Sequence, residues 1–248
     1  MQFFYFLLSL MLSIMPAGFA SQNVMHAAAV ANTTLVPAQY QQVIYTGALA
    51  SLFSINDGVS SADSLHIQFL LGAQAQLAEM YSFPEDDMKA DAYRHFFWSL
   101  RAVQQTSANA ARIQTINYEL AGIIARDVMH FTQQRYNDLR SDGLSSLLAQ
   151  QQAQREGGAY ALGRRAVILA ESEDFARFQQ HFRNPDIMDL WNNQIGIQAA
   201  QNHHRFVRTH RLFAQQWDNG RMIMDECDEE VTLERRQTVW ENTNWWQP

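Results

Sequence analysis

The chain has one cysteine, Cys227, so no disulfide can form within it. Only 11 glycines and 5 prolines punctuate 248 residues, which favours long helices over many short strands and turns. Basic charge is scarce. Lys89 is the only lysine, and the formal net charge of −7 argues against non-specific nucleic-acid binding, because a phosphate backbone wants a basic face. No segment of five or more residues alternates convincingly with period two, and no repeat is visible, so a sheet and a solenoid are both disfavoured. A glycine-rich phosphate loop, a GxSxG elbow, a CxxC pair and an HExxH helix are all missing.

Charge is also missing from the N-terminus, where the first charged side chain is Asp57. The run "FFYFLLSLMLSIM" is followed by Pro16 and "AGFA", with Gly18 and Ala20 at the small positions of a signal-peptidase site. Residues 1–20 therefore read as a secretory signal cleaved after Ala20, with an uncleaved anchor as the alternative. No cysteine follows the cleavage site, which argues against a lipoprotein. The expected location is periplasmic or secreted, in a Gram-negative bacterium. Residues 21–36 are small, polar and uncharged, as in a flexible leader. The apolar stretch Val43–Ile55 is shorter than the about 20 residues that span a bilayer, so no transmembrane segment is expected in the mature chain.

From Pro37 onward the apolar residues recur at helical spacing. Val43, Ile44, Ala48 and Leu52 mark one helix, and Leu65, Phe69, Leu70, Ala73 and Leu77 a second. Breaks are expected at "NDGVSSADS" (56–64), "SFPEDD" (82–87), "RSDGLSS" (140–146) and "NG" (219–220), and a flexible joint at "REGGAYALG" (155–163). Between them lie helices at about Glu85–Gln105 and Ala108–Leu139, shorter pieces from Leu144 to Phe182, and a last helix with Asn184 as N-cap and Pro185 behind it, running to about Asp218. The predicted fold is all-α: a single-domain multi-helix bundle over 37–218, with an acidic, Trp-rich tail over 219–248.

Two helical segments carry the polar constellation. In "DAYRHFFW" (91–98), Asp91, His95 and Trp98 fall at i, i+4 and i+7, on one stripe. Asp91 can orient the His95 ring, as the carboxylate behind a general base or behind a metal ligand does. A buried Asp–His pair that only ties helices together has the same spacing. In "MDLWNNQIG" (188–196), Asp189, Asn192, Asn193 and Gly196 share a stripe beside Met188, Trp191 and Ile195. Two adjacent asparagines are poor helix formers, so their amides are expected to face a network, a ligand or an ion.

Together the two segments resemble an uncharacterised bacterial domain family of secreted and toxin-associated proteins, with D-A-x-R-H-x-x-W and M-D-x-x-N-N-x-x-G motifs. The matches are Asp91, Ala92, Arg94, His95 and Trp98, then Met188, Asp189, Asn192, Asn193 and Gly196. By implication the likeness covers about 85–205. The family also tends to carry a His-Glu pair between the motifs. Here Glu171 and Glu173 in "ILAESED", or Glu119 in "NYELAG", stand without that histidine. The resemblance implies no established reaction.

Other clusters carry less. His203, His204 and His210 have no carboxylate at ligand spacing, which argues against a zinc site there. "DECDEE" (225–230) reads as a solvated acidic run, and the tryptophans of "WENTNWW" as packing. The expected site therefore has His95, Asp91 and Asp189 as catalytic residues, with Arg94, Trp98, Asn192, Asn193 and Glu171 around the substrate. A divalent metal is compatible with this set but not implied by it. One expectation is a secreted hydrolase or toxin-like effector acting on an ester or phosphodiester. The alternative is a non-catalytic binding protein in which the same residues form a structural network. A small molecule, a lipid or a protein could be the partner.

Overall fold

The computed structural model describes residues 38–203 and 208–243. The expected signal, the leader, His204 and the terminal "NWWQP" lie outside the described residues. Regular structure among the described residues is helical, with no strand. The helices are α1 (Ala38–Asn56), α2 (Ser61–Leu65), a π-helical turn (His66–Leu71), α3 (Gly72–Ser82), α4 (Asp87–Gln105), α5 (Ala108–Ser141), α6 (Ser146–Glu171), α7 (Phe175–His181), α8 (Asn184–Asn202), α9 (Thr209–Asp218) and α10 (Leu233–Thr243). None is long and apolar enough to cross a membrane.

Local chemistry sets the helix starts. Ser60, Asp86, Ser107, Ser145 and Asp174 each accept a hydrogen bond at the N-cap from the backbone N–H three residues on. The breaks expected at 56–64, 140–146 and 219–220 are turns in which Gly58, Gly143 and Gly220 take positive φ of 88°, 90° and 64°.

The long helix α5 forms the centre, packed against α1, α4, α6 and α8, while α4 lies along α8. Tyr45, Leu49 and Phe53 of α1 meet Ile116, Leu120 and Ile124 of α5 in the main core, closed by Phe178, Phe182, Ile187 and Leu190. A second apolar layer, around Tyr93, Phe96, Ile195 and Phe213, seals the other side of α4 and α8. A buried polar clamp ties the turn after α1 to α5 and α6: Arg165 donates to Asp57 (2.5 Å) and to Asn117 (3.2 Å), and Asn117 donates to Asp57 (2.8 Å).

Four features differ from the expectation drawn from the sequence. Helix α6 runs unbroken through 155–163, where a joint was expected. Gly157 is there for contact, not flexibility: a Cβ on it would lie 2.2 Å from Thr132 Oγ1 on α5. The helix expected over Asn184–Asp218 is two, because α8 stops at Asn202 and α9 starts at Thr209. Its N-cap is Arg183, whose N–H donates to Asp186, while Asn184 ties down the backbone of Glu226. The segment beyond 219 belongs to the fold. Ile223, Val231 and Val239 are buried in the main core, and Glu230 and Asp225 of the acidic run accept backbone bonds from Met224 and Cys227.

Candidate functional site

Helices α4 and α8 come unusually close at Gly196. A Cβ there would sit 2.2 Å from Ser99 Oγ and 2.5 Å from the Phe96 carbonyl oxygen. Only glycine permits this approach. It brings the stripes of the two motifs face to face.

His95 lies at the centre of the contact, 3 % exposed. Its Nε2 is 3.1 Å from Asp189 Oδ1, 3.9 Å from Asp91 Oδ1 and 2.8 Å from an Arg94 guanidinium nitrogen. Its Nδ1 is 3.4 Å from the Asn193 side-chain nitrogen. Arg94 also binds Asp91 tightly and has Glu79 at 3.8 Å. The ligand-type atoms of Asp91, His95 and Asp189 all lie within 4.8 Å of one another.

These contacts conflict at Nε2. Asp189 can accept a proton from it, whereas Arg94 needs its lone pair. One ring nitrogen cannot serve both. A third demand comes from Nδ1, which must carry a lone pair if Asn193 donates to it.

Electrostatics sharpen the conflict. Burial, helped by the Arg94 charge, holds His95 well below its ordinary value, so the ring is neutral at neutral pH. Burial and the neighbouring Asp91 push Asp189 well above the usual carboxylate range. Burial and Asp189 do the same to Glu119 of α5. For Arg94, burial works against the charge, but Asp91, Glu79 and Asp189 outweigh it and the guanidinium stays charged.

Three buried oxygens in this region make no hydrogen bond of good geometry among the described residues: Asp189 Oδ1, which only approaches His95, Asn193 Oδ1 and Glu119 Oε1. Leaving one such group unsatisfied costs roughly 1–3 kcal/mol. A network built only to hold helices together is expected to satisfy its members.

A cleft of about 60 Å³ adjoins the cluster, with Arg94, His95 and Trp98 in its wall and Ile44, Phe69 and Tyr118 among its apolar lining. The π-turn forms one side of it, and Trp98 donates its indole N–H to the Ile67 carbonyl there (2.8 Å). A π-turn redirects carbonyls from the usual helical ladder, and such turns are frequent at functional sites.

Of the residues expected at the site, His95, Asp91, Asp189, Arg94 and Asn193 meet, and Trp98 lines the cleft beside them. Two do not join them. Asn192 is committed to Ile223: its Nδ2 donates to that carbonyl (2.8 Å) and its Oδ1 accepts that N–H (3.0 Å). Its role is to dock the segment after α9, because a residue next to Asn193 on a helix points about 100° away. Glu171, at the end of α6, pairs instead with His181 of α7 at 2.7 Å. Of the three glutamates considered for the third corner, Glu119 is the one that reaches Asp189 electrostatically. Its signal in the sequence is a charge three residues after Ile116, on the apolar stripe of α5. Glu79 was not anticipated, and only the packing of α3 on α4 reveals it. His210, one of the histidines set aside, stacks on Phe83 at 5.4 Å as packing.

Comparison of the sequence with protein-family models and with curated proteins, and of the structure with solved structures, gives no match.

Proposed function

We propose that the chain is an exported hydrolase that cleaves an ester or phosphodiester at the Asp91–His95–Asp189 cluster. The observation that carries this reading is the convergence of Asp91, Asp189, Asn193 and Arg94 on a buried, neutral imidazole in the wall of a cleft. Strained polar constellations of this kind are expected where a site is organised for a substrate and not for stability. In the reaction, a water oxygen bonds to the carbonyl carbon or phosphorus, the bond to the leaving oxygen breaks, and the leaving oxygen receives a proton. Arg94, about one-third exposed, is placed to hold an anionic oxygen of the substrate. The apolar cleft has room for a short acyl or alkyl part. His95 is placed to take the proton from the attacking water, and a cation, if held by Asp91, His95 and Asp189, would lower the pKa of that water.

The second reading is a non-catalytic binding protein, favoured by the burial of His95 and by the purely structural use of Asn192. A panel of p-nitrophenyl acyl esters of increasing chain length, with bis-p-nitrophenyl phosphate, separates the two. The hydrolase reading expects turnover of at least one substrate, lost in His95→Ala while circular dichroism stays helical. No turnover of any substrate by the folded protein, or equal turnover by His95→Ala, overturns it.

A further inference from the structure

We propose that Asp91, His95 and Asp189 bind one divalent first-row transition ion, and that the Arg94 guanidinium occupies part of its position when the ion is not bound. The inference concerns the same cluster as the hydrolase reading and goes beyond it by assigning the cluster a ligand.

Geometry supports it first. Donor atoms about 2.1 Å from a common ion are about 3 Å apart when adjacent and about 4.2 Å apart when opposite. The His95 Nε2 distances to Asp189 Oδ1 and Asp91 Oδ1, 3.1 and 3.9 Å, lie in that range. Asp91 and His95 are one helical turn apart on α4, and Gly196 fixes the approach of α8 that delivers Asp189.

The second support is the conflict at Nε2. An ion takes the Nε2 lone pair and the carboxylate oxygens together, which no proton placement in the protein alone can do. The ring proton then sits on Nδ1. With its side-chain amide turned over, Asn193 accepts that proton through Oδ1, the atom now buried without a partner. Asn193 thereby becomes a positioning residue that fixes the tautomer, as partners of metal-bound histidines do.

Arg94 provides the third support. Its guanidinium touches the same Asp91 and His95 atoms an ion would use, so a cation is already favoured there. Glu79 at 3.8 Å offers the guanidinium a second carboxylate on which to settle once displaced.

One imidazole with two carboxylates favours Mn²⁺ or Zn²⁺ over Mg²⁺ or Ca²⁺, which prefer oxygen-only shells. The test is calorimetric titration of the chelator-treated, dialysed full chain with each of the four ions, without substrate. Saturable binding of one Mn²⁺ or Zn²⁺ per chain is expected, weakened about 10-fold or more in both Asp91→Asn and Asp189→Asn, the range expected when such sites lose a supporting group. Arg94→Gln is expected to bind more tightly than wild type, because its competing charge is gone. Absence of saturable binding, binding unchanged in both Asp variants, or weaker binding by Arg94→Gln overturns the inference. Asp91→Asn is a part-exposed substitution that keeps side-chain volume, and a melting curve on each variant confirms that a folded protein is titrated. Because no substrate is used, the ion site can fail while hydrolysis stands, and the reverse.

Discussion

The His95 imidazole on α4 and the Asp189 carboxylate on α8 meet at 3.1 Å, although burial disfavours the charged form of each. An ordinary salt bridge would place a cation against an anion. Here a neutral ring faces a carboxyl group held well above its usual range, with Arg94 close to both. The fold keeps this arrangement because α4 and α8 pack against each other over most of their length, through apolar residues unrelated to the polar stripe.

That packing makes Gly196 the most sensitive glycine of the site. Gly196→Ala is expected to destabilise the protein by about 1–3 kcal/mol, as overpacked cores do, and to separate α4 from α8. Removing the Ser99 hydroxyl should not rescue it, because the Phe96 carbonyl still lies 2.5 Å from the new Cβ. Gly157→Ala on α6 is the contrasting case, since its clash is with the Thr132 side chain alone. There, Thr132→Ala should recover stability, with a favourable coupling of about 0.5–3 kcal/mol in a double-mutant cycle read by denaturant unfolding.

Glu119→Gln tests the buried charge. The folded pKa of Glu119 is raised above the ordinary 4.5. Between the two values the folded state keeps a proton that the unfolded state has released, so its contribution to stability is full below about pH 4.5 and declines as pH rises. The glutamine variant does not titrate. In the presence of chelator, its stability relative to wild type should therefore increase from pH 4.5 towards neutrality, by up to roughly 1–3 kcal/mol, the cost of an unsatisfied buried group. Melting temperatures of both proteins across that range are the measurement, and a flat or falling difference would contradict it.

The Arg165–Asp57 pair away from the site should behave differently. Both side chains are nearly buried, at 8 % and 12 % exposure, and their hydrogen bonds are largely satisfied through Asn117. Asp57→Ala leaves the guanidinium buried without its carboxylate and is expected to cost about 3–5 kcal/mol in urea unfolding. Activity per folded molecule should be unchanged.

Much of this arrangement is legible in the chain. Caps such as Ser107 and Asp174 and turn glycines such as Gly58 and Gly143 act within four or five residues, so sequence spacing places them closely. The Asp91–His95 stripe follows from helical periodicity in the same way. What spacing cannot supply is the partner across a helix interface. Asn192 and Asn193 are neighbours in sequence, yet one docks Ile223 and the other faces His95. Gly157 has the composition of a hinge and the function of a contact, and only the position of Thr132 on α5 separates the two. Glu171 falls at a plausible distance along the chain, but α7 turns back and gives it His181.

The working role of the cluster is tested most directly by measuring hydrolysis and melting temperature side by side for wild type and Asp189→Asn. The substitution keeps the volume of a residue whose buried Oδ1 approaches His95 but makes no hydrogen bond of good geometry among the described residues. A functional centre gives up stability for chemistry, so the variant should lose activity by about 10²-fold or more while melting at the same temperature or higher. A variant that melts several degrees lower and retains its hydrolysis would contradict this and would make His95 and Asp189 a structural pair.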